Sequence, residues 1–234
     1  MPINKLYQKI QEILSPYYCY NCKKFLDYGY LCEDCLEKIG FRLETYCLKC
    51  KRRKPFNEKI TSTCCSTLIK SLITFSDYTE SKIIADLIKL GKIQGYKKIF
   101  EFFGYLISKE IKKLDNVNFD ILKNFKIAYI PLTKKVERNR GFNQAKILAG
   151  VISKEIGLEI FDGLIKIKDT KLQTELDYEE RFKNIEEVFE CKENPSKNLI
   201  LVDDVTTTGA TLFEAAKKLK EKGAKNIIAL TISK

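Results

Sequence analysis

The residues of this 234-residue chain best suited to chemistry lie in Asn198-Leu-Ile-Leu-Val-Asp203-Asp204-Val-Thr206-Thr207-Thr208-Gly209-Ala210-Thr211. The apolar run predicts a buried strand, and two acids follow at its carboxyl end, where open α/β sheets place ligands. A Thr/Gly loop then leads straight into a helix. The free N–H groups and positive dipole end of such a helix suit a phosphate. Gly209 lets the backbone come close, and the hydroxyls of Thr206, Thr207, Thr208 and Thr211 add donors. Two carboxylates suit the hydroxyls of a ribose diol, which donate to them, and they attract a divalent cation. A sugar phosphate accounts for both halves. The competing reading is a strand ending in a capped helix with solvated acids, and so many Thr and Gly positions exceed what capping needs. A nucleotide triphosphate site would want G-x-x-x-x-G-K-[ST], which does not occur.

The second candidate is metallic. Eight of the nine Cys fall between Cys19 and Cys65. Cys19-x2-Cys22 and Cys32-x2-Cys35 supply two thiolate pairs, each able to clasp one edge of a Zn²⁺ tetrahedron with Zn–S bonds of about 2.3 Å. Cys47-x2-Cys50 is a third pair, followed by the adjacent Cys64 and Cys65, whose spacing is tighter. With four thiolates and no open position, the first site is structural in kind. Reduced structural cysteines or redox pairs are the alternative. Cys191 stands alone and reads as a buried strand-end residue. There is no His, so His-based acid/base catalysis and ligation are excluded.

These sites need scaffolds. Strands are predicted over residues 72–75, 127–130, 199–202 and 227–231, and helices over 81–90, 97–112, 143–156 and 211–222. Apolar strands alternating with helices predict a parallel, helix-covered sheet. A short amphipathic helix is expected over 3–14, from Ile3, Leu6, Tyr7, Ile10, Ile13 and Leu14. Residues 1–66 thus read as a small Cys-rich module and 67–234 as an α/β domain. No apolar run approaches the about 18 residues of a spanning helix, and residues 1–14 lack a signal peptide's core, so the expectation is a cytoplasmic protein without membrane insertion. The net charge of +11 invites a nucleic-acid reading, but only six of the 42 basic residues are Arg. Lys51-Arg52-Arg53-Lys54 beside the third Cys pair can contact phosphates of DNA or RNA, or be a solvated loop.

The stretch from Asp203 to Thr211 resembles the phosphoribosyl pyrophosphate (PRPP) loop of type I phosphoribosyltransferases. Further resemblance lies in Pro131-Leu132-Thr133-Lys134-Lys-Val-Glu-Arg138-Asn-Arg140-Gly-Phe-Asn-Gln144-Ala, with Leu148-Ala149, and in Gln173-x2-Leu176-x4-Arg181-x2-Asn184 ending at Phe189. These are similar to the ComF (ComFC) family of competence-associated proteins, whose zinc ribbon the Cys-rich module also resembles. The resemblance implies a type I phosphoribosyltransferase fold preceded by that ribbon. It implies that Asp203 and Asp204 hold the ribose hydroxyls, directly or through Mg²⁺, and that residues 206–211 hold the 5′-phosphate. Pro131, Leu132, Thr133 and Lys134 would form the pyrophosphate loop, where such enzymes often carry a strained peptide. Arg138 and Arg140 would meet the pyrophosphate charge. Residues 168–181 would be a mobile flap, to which Gln173 and Arg181 contribute unless they are packing or helix-surface residues. The family's fourth Cys-x2-Cys pair is replaced here by the Cys64-Cys65 doublet, and the glycine often found after a knuckle Cys is replaced by Lys51.

The implied reaction is displacement of pyrophosphate from the anomeric carbon by a nitrogen nucleophile, with no acceptor-reading segment evident. The alternative is a non-catalytic, PRPP-responsive component of the DNA-uptake machinery that partners a helicase-like competence protein or single-stranded DNA. A scaffold with a relic pocket is the third expectation.

Overall fold

A computed structural model describes residues 17–55, 58–65, 68–78, 81–169 and 187–234. The helix expected over 3–14, and Gln173, Leu176, Arg181 and Asn184, lie outside the described residues. Contacts divide the chain into two compact units, Met1–Phe41 and Arg42–Lys234.

In the smaller unit the described regular structure is short. Strands β1 (Tyr17–Tyr18) and β2 (Phe25–Leu26) pair antiparallel, and helix α1 spans Glu33–Lys38. Among the described residues its buried apolar side chains are Leu31 and Phe41 beside Cys19, Cys32 and Cys35. A described core of this size leaves room for a metal staple to contribute much of the stability.

The larger unit is built on five strands in the order β3 (Glu44–Tyr46), β4 (Leu72–Thr74), β9 (Asn226–Leu230), β8 (Asn198–Val202), β5 (Lys126–Tyr129). Only the β3–β4 pair is antiparallel; β4–β9, β9–β8 and β8–β5 are parallel. Residues 199–202 and 227–230 are wholly buried, which explains their unbroken apolar runs. Among the described residues, helices α2 (Lys82–Gln94), α3 (Lys97–Ile111), α4 (Asn116–Lys123), α5 (Lys134–Arg140), α6 (Gln144–Ile156) and α7 (Ala210–Glu221) accompany the sheet, with an antiparallel pair of β6 (Leu164–Lys166) and β7 (Phe189–Cys191). The architecture is therefore α/β with a parallel-rich sheet, preceded by a Cys-rich module, as the sequence predicts. The larger unit begins at Arg42, ahead of the change in character read at residue 66, because Tyr46 pairs with Leu72 and brings the second Cys group to the sheet edge.

Amphipathic spacing sets the helix packing. Helix α2 buries Ile84, Leu87, Ile88 and Gly91; α3 buries Ile99, Phe100, Phe103, Ile107 and Ile111. Gly104 of α3 meets α6 so closely that a Cβ there would lie 2.7 Å from Val151 Cβ. Because four strands run the same way, the residues after Thr74, Tyr129, Val202 and Leu230 gather at one edge of the sheet. No described helix is long and apolar enough to cross a membrane.

Candidate functional site

Strand β8 delivers Asp203 and Asp204 to that edge, and both are buried, Asp204 to 3% exposure. Backbone bonds fix them. Asp203 N–H donates to Leu230 O at 2.9 Å, and Ile232 N–H donates to Asp204 O at 3.0 Å. The Asp203 carboxylate accepts from Asp204 N–H at 2.9 Å. Lys92, near the end of α2, places Nζ 2.5 Å from Asp204 Oδ2. From α6, Gln144 Nε2 reaches Asp204 Oδ1 at 3.5 Å, and Gln144 Oε1 accepts from Arg140 at 2.8 Å. A relay Arg140–Gln144–Asp204–Lys92 thus surrounds the acids. Burial, then the charge of Asp204, pushes the Asp203 carboxyl well above the usual range, with Lys92 opposing. Burial lowers the Lys92 ammonium, but the carboxylate of Asp204 outweighs it and the net shift is upward. Such a buried acid pair is costly for folding and suits a site that meets donors or cations.

The hydroxyl-rich loop turns immediately after. Thr206 is buried and its N–H donates to Ser233 O at 3.1 Å; Thr207 is exposed, Thr208 and Thr211 partly so, and Ala210 is buried. Gly209 stands at φ 84°, opening α7 in a left-handed conformation, and Thr208 Oγ1 accepts from Ala210 N–H at 3.3 Å.

The turn after β5 lies beside it, joined through Ile130 N–H to Val202 O at 2.9 Å. Pro131 is buried and Leu132 partly so. Thr133 caps α5 by accepting from Val136 N–H at 3.3 Å, and its hydroxyl donates to the Asp169 carboxylate. Asn143 caps α6 through Lys146 N–H at 3.2 Å while donating to Ile130 O at 3.0 Å, so one side chain fixes both strand end and helix start. Lys134 and Arg138 are exposed. No described peptide bond is cis, and positive φ outside glycine occurs at Lys23, Lys51 and Glu187, not in this turn. Gln173 and Arg181 lie outside the described residues. Burial lowers the Lys166 ammonium on β6, and the charges of Asp203 and Asp169 oppose that shift without reversing it.

Lys92 and Lys166 are missed by sequence reasoning. A signal existed for Lys92: it continues the i, i+4 stripe of Ile84 and Ile88, where a lysine on an apolar face is out of character.

The cysteines form two groups, Cys19/Cys22/Cys32/Cys35 and Cys47/Cys50/Cys64/Cys65, with all Sγ atoms of each group within 4.8 Å of one another. A Zn²⁺ tetrahedron with bonds near 2.3 Å has edges of roughly 3.8 Å. Cys22–Cys32 at 3.7 Å, Cys47–Cys65 at 3.4 Å and Cys50–Cys64 at 3.6 Å match it closely, so both groups can hold zinc. Thiolate character is prepared at the head of each. Burial raises Cys19 and Cys47, but the N–H groups of the following turns outweigh it and bring each to about 6. Cys191 ends β7, buried, with its thiol on Glu193 O at 3.1 Å. The basic run divides: Lys54 is buried, Lys51 turns to Thr207 O at 3.1 Å, and Arg53 pairs with Glu44 at 2.9 Å.

The chain is similar to Competence protein ComFC of Bacillus subtilis (strain 168), with 30% identity over 209 residues, covering 88% of this chain and 78% of that protein. The chain belongs to the ComF family. A similar relationship holds with Competence protein ComFC of Streptococcus pneumoniae, at 28% over 207 residues and 84% of each chain. DNA utilization protein YhgH of Salmonella typhi is 31% identical over 159 residues, 67% of this chain and 68% of that protein. No family model matches the sequence.

Proposed function

We propose that this ComF-family chain binds PRPP and transfers its phosphoribosyl group with release of pyrophosphate, in the service of DNA uptake. The observation that carries the reading is the buried pair Asp203–Asp204 at the carboxyl end of a central parallel strand, leading directly into the Thr/Gly loop that opens α7. Loop N–H groups and threonine hydroxyls would take the 5′-phosphate. The carboxylates of Asp203 and Asp204 would accept from the ribose hydroxyls. The turn at residues 131–134, with Arg138 and Arg140, would face the pyrophosphate. Mg²⁺, when bound with PRPP, supplies positive charge to the leaving group. As the acceptor nitrogen forms its bond to the anomeric carbon, the bond to the pyrophosphate oxygen breaks and that oxygen keeps the electron pair. The nitrogen then sheds a proton. Positive charge developing on the ribose ring lies near the two acids, and cationic side chains near the departing phosphates.

The names of the relatives, competence and DNA utilization proteins, support the setting in DNA uptake. They also support a second reading, a PRPP-responsive component that binds single-stranded DNA or a helicase-like competence protein without turnover. The two separate in one experiment. Calorimetric titration of the full chain with PRPP, with and without Mg²⁺, is expected to give binding that Asp204→Asn abolishes. A screen of nitrogenous acceptors for pyrophosphate release then distinguishes transferase from responder. Absence of PRPP binding overturns both and leaves a relic pocket.

A further inference from the structure

The second cysteine turn meets the hydroxyl-rich loop at two points. Leu48, between Cys47 and Cys50, is 1% exposed, and its Cγ lies 2.9 Å from where a Cβ on Gly209 would stand. Any side chain at 209 would therefore drive the turn and the loop apart. Lys51, directly after Cys50, has φ 62°, left-handed backbone that a long side chain adopts only against steric resistance. Two backbone bonds hold it there: Lys51 N–H to Cys47 O and Cys47 N–H to Arg52 O, each 2.9 Å. From this position Lys51 Nζ donates to Thr207 O at 3.1 Å. Glycine at 51 would remove the resistance and the ammonium together. A strained lysine whose charge rests on the loop that opens a helix is an outlier that points to function. The ammonium thus already stands against the backbone of the loop.

We infer that residues 47–51 form a working wall of the anion site: Lys51 supplies a cation to a phosphate held at residues 206–211. Through Leu48 and Lys51, a metal on Cys47, Cys50, Cys64 and Cys65 and the anion strengthen each other's binding. This rests on reading the loop as a phosphate site. Coupling between two sites is reciprocal, so it is measurable from either end.

The test uses the zinc-loaded full chain with ribose 5-phosphate as probe. Lys51→Gly, which relieves the left-handed backbone, is expected to melt no lower than the parent and to bind ribose 5-phosphate about tenfold more weakly, the worth of one charge-assisted hydrogen bond. Lys51→Arg should restore most of the affinity. From the other end, chelator competition should show that ribose 5-phosphate tightens one of two bound zincs. That zinc should be the one missing from the Cys64→Ser/Cys65→Ser variant, and the tightening should vanish in Lys51→Gly. Unchanged affinity in Lys51→Gly, with zinc binding indifferent to the probe, overturns the inference. If PRPP binds and Asp204→Asn abolishes it while Lys51→Gly and zinc do not matter, the inference falls and the PRPP reading stands. If ribose 5-phosphate binding is coupled to zinc but PRPP is not bound, the reverse holds. Failure of both ligands to bind overturns both.

Discussion

The two cysteine groups share one chemistry and differ in what they fasten. Cys19, Cys22, Cys32 and Cys35 occupy a unit whose described regular structure is a pair of two-residue strands and a six-residue helix. Three of these four are buried. Cys47, Cys50, Cys64 and Cys65 sit beside the edge strand of a five-stranded sheet that has its own core, and only Cys47 is buried. A metal in the first group would stand in for the core that the described residues supply only sparingly; a metal in the second would hold a turn against a framework that already stands. The same ligand set can therefore be a folding requirement in one place and a local clasp in another.

The sharpest way to break this contrast is to remove ligands from each group in turn. Cys22→Ser/Cys35→Ser should lower bound zinc by one per chain and abolish structure in the small unit, because structural zinc contributes on the order of 10 kcal/mol to such modules. Limited proteolysis should then cut freely between Tyr17 and Phe41. Cys64→Ser/Cys65→Ser should also lose one zinc, yet keep the cooperative melting transition of the sheet, lowered by several degrees. If both variants melt alike, the two groups do the same job and the contrast fails.

Lys54 supplies the next largest effect. Its ammonium, at 1% side-chain exposure, donates to Ser62 O at 2.5 Å, Ser71 Oγ at 2.8 Å, Ser62 Oγ at 3.0 Å and Lys70 O at 3.1 Å. It thereby ties the segment between the second group's Cys pairs to the strand that follows. Lys54→Met strands these acceptors in a dry site and should cost about 3–5 kcal/mol by urea unfolding. Loss of second-site zinc on the same titration would show that the clasp depends on this hub.

Much of this was legible in the sequence for a physical reason. Strands β8 and β9 are buried on both faces, so their apolar runs are unbroken, and helices α2, α3, α6 and α7 carry one buried stripe each. The acid pair and Thr/Gly loop announce themselves because their chemistry is local in sequence. Helix α5 was not legible, since it buries nothing and rests on the Thr133 cap and Gly141 at φ 80°. Strand β3 is three residues long and half-buried, so its pairing with β4 decides it rather than any pattern of its own. Lys54 looked like part of a solvated basic run because a buried lysine is rare and four of its contacts are to carbonyls and hydroxyls, which leave no charge signature; its one acidic partner, Glu58 at 3.8 Å, follows at i+4, a spacing that an exposed pair would share.

Asp203 tests the strain of the acid site. Its raised folded pKa means that the folded state holds a proton the unfolded chain has lost. Stability should fall as pH rises from the ordinary carboxylate range through that higher value. Asp203→Asn keeps an acceptor for Asp204 N–H and removes the repulsion. It should raise stability at pH 7 by about 1 kcal/mol, flatten this pH dependence and weaken PRPP binding, the usual opposition of stability and function at a site. A variant that is less stable at pH 7 would show that the pair supports the fold instead.

The smallest effect concerns the ion pair that borders the second group. Glu44, on β3, is 19% exposed in its side chain and meets Arg53 at 2.9 Å; Tyr46 donates to it as well. Burial raises the Glu44 carboxyl, but the Tyr46 hydroxyl and then the Arg53 charge outweigh it, so its folded pKa lies below the ordinary value. That stabilisation is present above the ordinary glutamate pKa and is lost as pH falls through the lowered one. Because Arg53 is 59% exposed, solvent screens the pair, and Arg53→Gln should cost no more than about 1 kcal/mol at pH 7. At a pH below the lowered value the two chains should unfold at the same urea concentration. The pair also bounds the bridge between Tyr46 and Arg53 that closes the cysteine turn. Equal zinc affinity in parent and variant would confine the pair to the sheet edge, whereas weakened second-site zinc would make it part of the clasp and enlarge the difference between the two cysteine groups.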